Sequence, residues 1–276
     1  MEKINWFPGH MKKALDMMRS EVSKVDVLIY VLDGRAPLAC LNPEFVKIIN
    51  EKPILFVLNK IDMSDEEKLS EVEKSLLGEN RKVIRLNSTA SGAQKKVLEK
   101  LKQLCLPLLE RFKKKGISGF IRAMVIGVPN CGKSTLVNNL CGAYKAQTGN
   151  KPGVTKTKQW VKLPGNFELL DTPGTLWPNL SDQKAGMFLA FIGSIKDEVV
   201  AVEELSLMLI ERLVSDYPKF FEERFGKASG TGLEILEFIA TSRKFLLKGN
   251  EIDYTRAARA VLDDFRKGRI GKITLI

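Results

Sequence analysis

The stretch 124–140, MVIGVPNCGKSTLVNNL, constrains this chain more than any other. An apolar run from Ala123 to Ile126 enters the pattern GxxxxGKS at Gly127 and leaves it at Gly132, Lys133 and Ser134, where an amphipathic helix begins. Strand, glycine turn and helix in that order make a phosphate cradle. Backbone N–H groups freed of side-chain bulk point at phosphate oxygens, and the helix offers its positive dipole end to the same anion. In that frame Lys133 reaches the β and γ phosphates and the Ser134 hydroxyl ligates Mg²⁺. Asn130, Cys131, Gly132 and Thr135 are the other nucleotide contacts expected from this loop.

The hydrophobic pattern on either side predicts an α/β sheet. Met11, Leu15, Met18 and Val22 recur at helical spacing over 10–24, and 25–32 is a continuous apolar run that ends in Asp33-Gly34-Arg35, the form of a buried parallel strand. Residues 53–58 repeat it and end in Asn59-Lys60-Ile61-Asp62. Ser64 and Glu67 are spaced as a capping box for a helix with Leu69, Val72 and Leu76 inward and Gly78 at its close. A strand over 82–87 ends at Ser88-Thr89, and one long helix over 92–115, kinked at Pro107, leads to the phosphate-loop strand. After the polar loop 147–158, residues 159–162 and 167–170 read as an antiparallel pair ending in Asp171-Thr172-Pro173-Gly174. Beyond Pro178 the pattern is helical only, which predicts two domains, 1–178 and 179–276. The last helix starts at Asp253 and buries Ala257, Val261 and Phe265, with Arg256, Arg259 and Arg266 on its other face.

With 44% hydrophobic and 28% charged residues the composition is that of an ordinary globular protein, and the apolar run at 27–32 is far short of the roughly 20 residues a membrane helix needs. The four cysteines are widely spaced, without a CxxC pair, and a single histidine accompanies them, which argues against a zinc site or a disulfide framework and for a reduced, cytoplasmic setting. The net charge of +11 is uneven: 29 Lys and Arg stand against 18 Asp and Glu through residue 180, and 15 against 15 thereafter. That asymmetry favours a polyanionic partner over simple solubilisation.

A phosphate loop alone does not separate ATP from GTP. In Asn59-Lys60-x-Asp62 the Asp62 carboxylate can accept hydrogen bonds from the N1–H and 2-amino groups of guanine, and adenine offers neither. Asn59 would tie this loop to the phosphate loop, and the stem of Lys60 would lie along the base. Asp171 would hold Mg²⁺ through a water, and the Gly174 N–H would bond the γ phosphate and release it after hydrolysis. Thr155 is the first candidate for a second hydroxyl on Mg²⁺, with Thr157 behind it. Ser88-Thr89-Ala90 supplies the remaining base loop.

The order is unusual. The familiar GTPases run from phosphate loop to threonine, DTPG, NKxD and Ser-Ala loop, whereas here the last two come first, so the fold expected is a P-loop GTPase sheet in circularly permuted order with a C-terminal all-α domain. With Trp6-Phe7-Pro8-Gly9-His10-Met11 at the front and Leu176-Trp177-Pro178 after DTPG, nearly the whole chain resembles the bacterial ribosome biogenesis GTPase A family. The resemblance implies GTP hydrolysis in late assembly of the large ribosomal subunit, binding of its precursor and of rRNA through the helical domain, no membrane association, and a monomer away from the ribosome. Two departures stand out: Gly34 where the family usually has Ala, and Thr175 where it usually has a hydrophobic residue. Many signalling GTPases carry a water-orienting Gln at the position of Thr175. Hydrolysis should then be slow unless His10 or the partner supplies the group; capping or RNA contact is the other reading of His10. Asn130 stands where a potassium-assisted GTPase ligates K⁺, and packing is its alternative. A GTP-held clamp without turnover and a GTPase of tRNA modification or membrane traffic are the rival classes.

Overall fold

The computed structural model describes residues 7–49, 52–116, 119–142, 159–178 and 182–276. Thr155, Thr157 and Trp6 lie outside the described residues.

A run of seven buried residues, Val27–Asp33, forms β1, and Ile54–Asn59 forms β2 with all six buried. Side chains hidden on both faces are what a parallel strand between helical layers requires. With β3 (Arg81–Leu86), β4 (Ile121–Ile126), β5 (Gln159–Leu163) and β6 (Phe167–Asp171) they make a six-stranded sheet in the order β3-β2-β1-β4-β6-β5. Every neighbouring pair is parallel except β5 with β6. The centre of the sheet is the seam of the permutation, where β1 lies beside β4, Leu28 opposite Met124. The loops after β1, β2, β3, β4 and β6 therefore share the carboxyl edge, where ligands of open α/β sheets bind.

The helices on the two faces are α1 (Gly9–Glu21), α2 (Pro43–Ile49), α3 (Glu66–Leu76), α4 (Ala93–Leu104), α5 (Leu106–Lys114) and α6 (Lys133–Cys141). Three expected details are corrected. The cap of α3 is Asp65, which accepts from the Glu67 and Lys68 amides at 3.0 and 3.2 Å, because Ser64 is occupied elsewhere, donating to the Lys60 carbonyl at 2.8 Å. The same helix ends when Leu77 turns extended, one residue before Gly78. The long helix over 92–115 is two helices broken at Cys105: Pro107 sits in the first turn of α5, where its missing N–H removes no bond.

Among the described residues the regular elements that follow β6 are helices, chiefly α7 (Gln183–Phe191), α8 (Val202–Asp216), α9 (Pro218–Phe225), α10 (Gly232–Ser242) and α11 (Tyr254–Arg266), with one antiparallel bridge between Leu246 and Ile252. Asp253 caps α11 through the Arg256 amide at 2.9 Å, as its sequence predicts. Beneath α11, buried Asp264 accepts from Arg224, Arg243 and Arg269 at 2.9, 3.1 and 3.0 Å. Burial alone would raise its pKa, but the three guanidiniums outweigh that and hold it below the usual carboxylate range.

The chain does not end in the helical layer. After α11, Ile273 donates to the Met63 carbonyl at 3.0 Å and Leu275 to the Arg35 carbonyl at 2.7 Å, while the Thr274 hydroxyl donates to the Gly34 carbonyl at 2.8 Å. The last residues thus run along the loops that follow β1 and β2, tying the two regions together beside the base-reading motif. No helix among the described residues is long and apolar enough to cross a membrane, and the four cysteines are free thiols.

Candidate nucleotide site

The loop from Gly127 to Gly132 is shaped by close approach. A Cβ on Gly127 would lie 2.5 Å from the Val31 carbonyl oxygen, and one on Gly132 would lie 2.2 Å from the Asn59 amide nitrogen; both residues have positive φ, +153° and +99°. Glycine alone satisfies both demands. Lys133 opens α6 and is buried, its ammonium donating to the Gly127 and Val128 carbonyls at 3.0 and 2.7 Å. Two of its three donors thus fix the ammonium inside the loop. Among the described residues the third has only the Cys131 sulfur at 3.9 Å, a weak acceptor that a phosphate oxygen would displace.

Asn59 joins three loops, as expected of its motif. Its side-chain nitrogen donates to the Cys131 carbonyl at 2.9 Å, and its oxygen accepts from the Ser88 amide and hydroxyl at 3.0 and 2.7 Å. Ser88 is therefore a brace for Asn59, while Thr89 is exposed and bonds Asn87. Lys60 adopts φ +62°, and its ammonium donates to Asp33 at 2.7 Å and to the Asn130 carbonyl at 2.8 Å, so its stem is stretched across the space between the two loops. Asp62, one turn further on, is exposed.

Asp33 and Arg35 form a network that sequence reasoning missed. Arg35 clasps Asp33 with two bonds, at 2.9 and 2.7 Å, and reaches the Arg266 carbonyl at the end of α11 at 2.7 Å. Burial would raise the Asp33 pKa, but Arg35 and then Lys60 overcome it and keep the carboxylate charged far below its ordinary value. The available signal was two opposite charges two residues apart at the end of a buried strand. Gly34 between them is explained by room: a Cβ there would lie 2.5 Å from the Ser64 hydroxyl and 2.7 Å from the Asn59 carbonyl oxygen.

The DTPG segment closes over the phosphate loop. Thr172 donates to the Val125 carbonyl at 2.5 Å, and a Cβ on Gly174 would fall 2.8 Å from both the Lys133 ammonium and Pro129 Cα. Asp171 is buried, and neither carboxylate oxygen has a hydrogen-bond partner among the described residues. Burial pushes its pKa up to about 6, with the nearby Lys133 charge offsetting part of the effect. A buried, unpartnered carboxylate close enough to the phosphate-loop lysine to feel its charge is the donor that a hard cation takes. Ser134, in the first turn of α6, brings the hydroxyl of the same donor set, so these residues fit Mg²⁺. Thr175 is fully buried, its hydroxyl donating to the carbonyls of Leu176 and Met11 at 2.8 and 3.3 Å, which brings the start of α1 against the segment after Gly174. His10, the residue before Met11, is exposed.

Two contacts that no pattern in the sequence announces join the phosphate loop to the helical region. The Ser194 hydroxyl donates to the Pro129 carbonyl at 2.7 Å, and the Asn130 amide nitrogen donates to the Gly193 carbonyl at 2.6 Å. One expectation fails. Arg266 does not lie open with Arg256 and Arg259, because Asp197 holds it at 2.9 and 2.7 Å and the carbonyls of Ala190 and Phe191 take two more of its five donors. Arg256 is exposed over the Phe245 ring, and Arg259 is exposed.

A strand–GxxxxGKS–helix unit with NKxD braced against it from a preceding strand, on a sheet of this order, defines a circularly permuted P-loop GTPase. The pattern described as 50S ribosome-binding GTPase matches residues 122–224, a span that begins in β4 and leaves out Asn59 to Asp62. The chain is 36% identical over 274 residues to ribosome biogenesis GTPase A of Bacillus cereus, covering 98% of this chain and 93% of that protein. It is 33% identical to the protein of that name in Bacillus pumilus, covering 98% and 97%. A crystal structure of GNP-bound YlqF from T. maritima aligns with a TM-score of 0.64 at 25% identity, over 95% of this chain and 97% of that one. A GDP-bound YlqF structure aligns at 0.66 and 24%, over 94% and 98%, and bears on the fold alone. The chain belongs to the ribosome biogenesis GTPase A family, and its activity is hydrolysis of GTP.

Proposed function

We propose that this protein assembles on a precursor of the large ribosomal subunit in its GTP form, contacting rRNA, and leaves after hydrolysis, acting in the cytoplasm as a monomer off the particle. The names of its relatives, ribosome biogenesis GTPase A and 50S ribosome-binding GTPase, point to that partner. The observation that carries the switch is the pair of bonds from Pro129 and Asn130 to Ser194 and Gly193, which makes the phosphate loop and the helical region neighbours without an intervening segment. The helical region, taken from residue 179, is the RNA-binding part in this reading, with Arg256 and Arg259 as its exposed cations.

Within the site, Asp62 reads guanine, the Thr89 loop borders the base, and Asn59 and Lys60 hold the base loop against the phosphate loop. Lys133, the Gly132 and Gly174 amides and the N-terminus of α6, with Cys131 and Thr135, bind the phosphates. Ser134, Thr155 and Asp171 would hold Mg²⁺, which when bound neutralises charge on the β and γ phosphates. Thr175 has no group able to orient water, and its side chain is spent on carbonyls. His10, one residue from the Met11 carbonyl that Thr175 meets, is the internal group proposed to orient the attacking water. A K⁺ site at Asn130 would use the side-chain oxygen, since the nitrogen faces Gly193.

Single-turnover GTP hydrolysis with and without large-subunit precursor particles tests this. Stimulation of about 10³ to 10⁵ is expected for a group supplied or ordered by the partner. Turnover of several per second by the protein alone contradicts the assignment, and particle binding without any stimulation replaces it with a GTP-held clamp.

A further inference from the structure

On the β4–β6–β5 side of the sheet, one face carries two exposed rings. Phe120 and Trp160 are 42% and 38% exposed. Strand register sets Arg122, Glu168 and Lys162 in one row across β4, β6 and β5, and the two-residue alternation of strands puts Phe120 and Trp160 on that same face. Each ring is paired diagonally with a cation: Arg122 lies 5.4 Å from the Trp160 centroid, and the Lys162 ammonium 5.3 Å from that of Phe120. Glu168 is the acid of the patch and binds Arg122 at 3.2 Å. Exposed lysines 113–115 close α5 just before, where Phe112 packs 3.2 Å from a Cβ position on Gly119, and Lys102 approaches the turn at Gly165. The face belongs partly to the edge strand β5, an exposed location in which two large rings serve no core.

We propose that this face binds unpaired RNA bases, which stack on Phe120 and Trp160 while Arg122, Lys162 and the neighbouring lysines hold the phosphates. Aromatic rings on an open sheet, each beside a cation, match what single-stranded RNA presents: π-faces at intervals along a polyanion. A duplex hides its bases and offers only phosphates and the minor groove to such a surface. An acidic peptide would use the cations and leave the rings without a role. The six residues of β4 separate Phe120 from the phosphate loop, roughly 20 Å, while Trp160 pairs with Leu170, the residue before Asp171, so the face runs from the far end of the sheet toward the nucleotide site without including a residue assigned to that site. The proposal rests on the ribosomal reading only for the identity of its natural ligand.

The test uses the full chain with GDP and fluorescein-labelled r(A)₁₂, alongside a 12-base-pair RNA duplex, by anisotropy over a salt series. The double variant Phe120→Leu/Trp160→Leu keeps apolar area and removes both rings, and Trp160→Phe keeps a ring. Stacking on one ring corresponds to about five- to 150-fold in affinity. The double variant should therefore lose at least tenfold for r(A)₁₂, with the duplex and GDP affinities unchanged, and Trp160→Phe should retain most of the binding. Equal affinity of wild type and double variant for r(A)₁₂, or an equal loss for duplex and single strand, overturns the stacking assignment. Weaker binding to ribosomal particles with unchanged r(A)₁₂ binding would give the face to a protein component and equally overturn it. Failure of the wild type to bind particles in any nucleotide state, with the oligonucleotide results as expected, would remove the ribosomal reading and leave this one standing.

Discussion

Arg35→Met should be among the most damaging single substitutions in this chain that does not remove a nucleotide contact. The Arg35 and Asp33 side chains are 2% and 0% exposed, and Arg35 makes the two bonds that neutralise a carboxylate buried under the base loop. Removing one partner of a buried pair typically costs about 3–5 kcal/mol. Here Lys60 still touches Asp33 at 2.7 Å, which limits the loss to about 3 kcal/mol, and the bond to the Arg266 carbonyl disappears with it. Asp33→Asn should cost a similar amount by stranding Arg35. The double variant removes both charges, so its loss should fall short of the sum by about 2 kcal/mol, the coupling that a double-mutant cycle isolates. Equilibrium urea unfolding followed by circular dichroism and by fluorescence measures all four proteins. Lys60 left as the sole cation on Asp33 is drawn from the Asn130 carbonyl, and GDP affinity in Arg35→Met should drop about tenfold. An Arg35→Met protein within 0.5 kcal/mol of wild type, or strict additivity in the double variant, refutes the network as described.

Asp62→Asn should weaken GTP binding by at least about 100-fold and improve xanthosine triphosphate binding, since Asn donates to the 2-oxo group where Asp accepts from the amine; unchanged GTP affinity removes Asp62 from base reading. Asp171→Asn should raise the urea midpoint of the nucleotide-free protein in EDTA, because a buried charge without a partner is replaced by a neutral amide, while Mg²⁺-dependent GTP affinity collapses. A lower midpoint counts against that account. Asp264→Asn should cost about 3 kcal/mol at pH 7, measured by urea unfolding. Its folded pKa lies below the unfolded value, so the contribution is full well above about pH 4 and is lost progressively as pH falls from there through the folded value; the gap between wild type and variant should be flat from pH 8 to 5 and narrow steadily below 4. A gap that does not narrow at all as the pH is taken from 5 to 2 would mean packing, not charge, is the source.

The elements carrying the nucleotide motifs were legible because each is local: an apolar run sets a buried strand, and glycines or a polar tetrapeptide at its end set the loop. Asn59 reached the phosphate loop as the motif implied, and the permuted order placed β1 beside β4. What escaped depends on contacts between distant residues. Arg266 read as a surface charge because nothing in its own segment reports that Asp197 faces it, and no role was read for Arg35 because nothing near it reports that α11 ends on it. Ser194 has no local signature at all. Ser64 and Pro107 were misread for a different reason: the spacing rules hold, but Ser64 was claimed by the Lys60 carbonyl, and Cys105 broke the helix just early enough for Pro107 to start a new one.

The central claim, that the nucleotide loop governs engagement of a large-subunit precursor, is tested most directly by the affinity of wild type and Ser194→Ala for purified precursor particles, measured by sedimentation with a nonhydrolysable GTP analogue and with GDP. Wild type should bind at least tenfold tighter with the analogue, and the variant, lacking the bond to the Pro129 carbonyl, should lose much of that ratio while keeping its GTP affinity within a few fold. Equal wild-type affinity in the two nucleotide states would contradict the switch, and an unaltered ratio in Ser194→Ala would show that the loop and the helical region do not communicate through this contact.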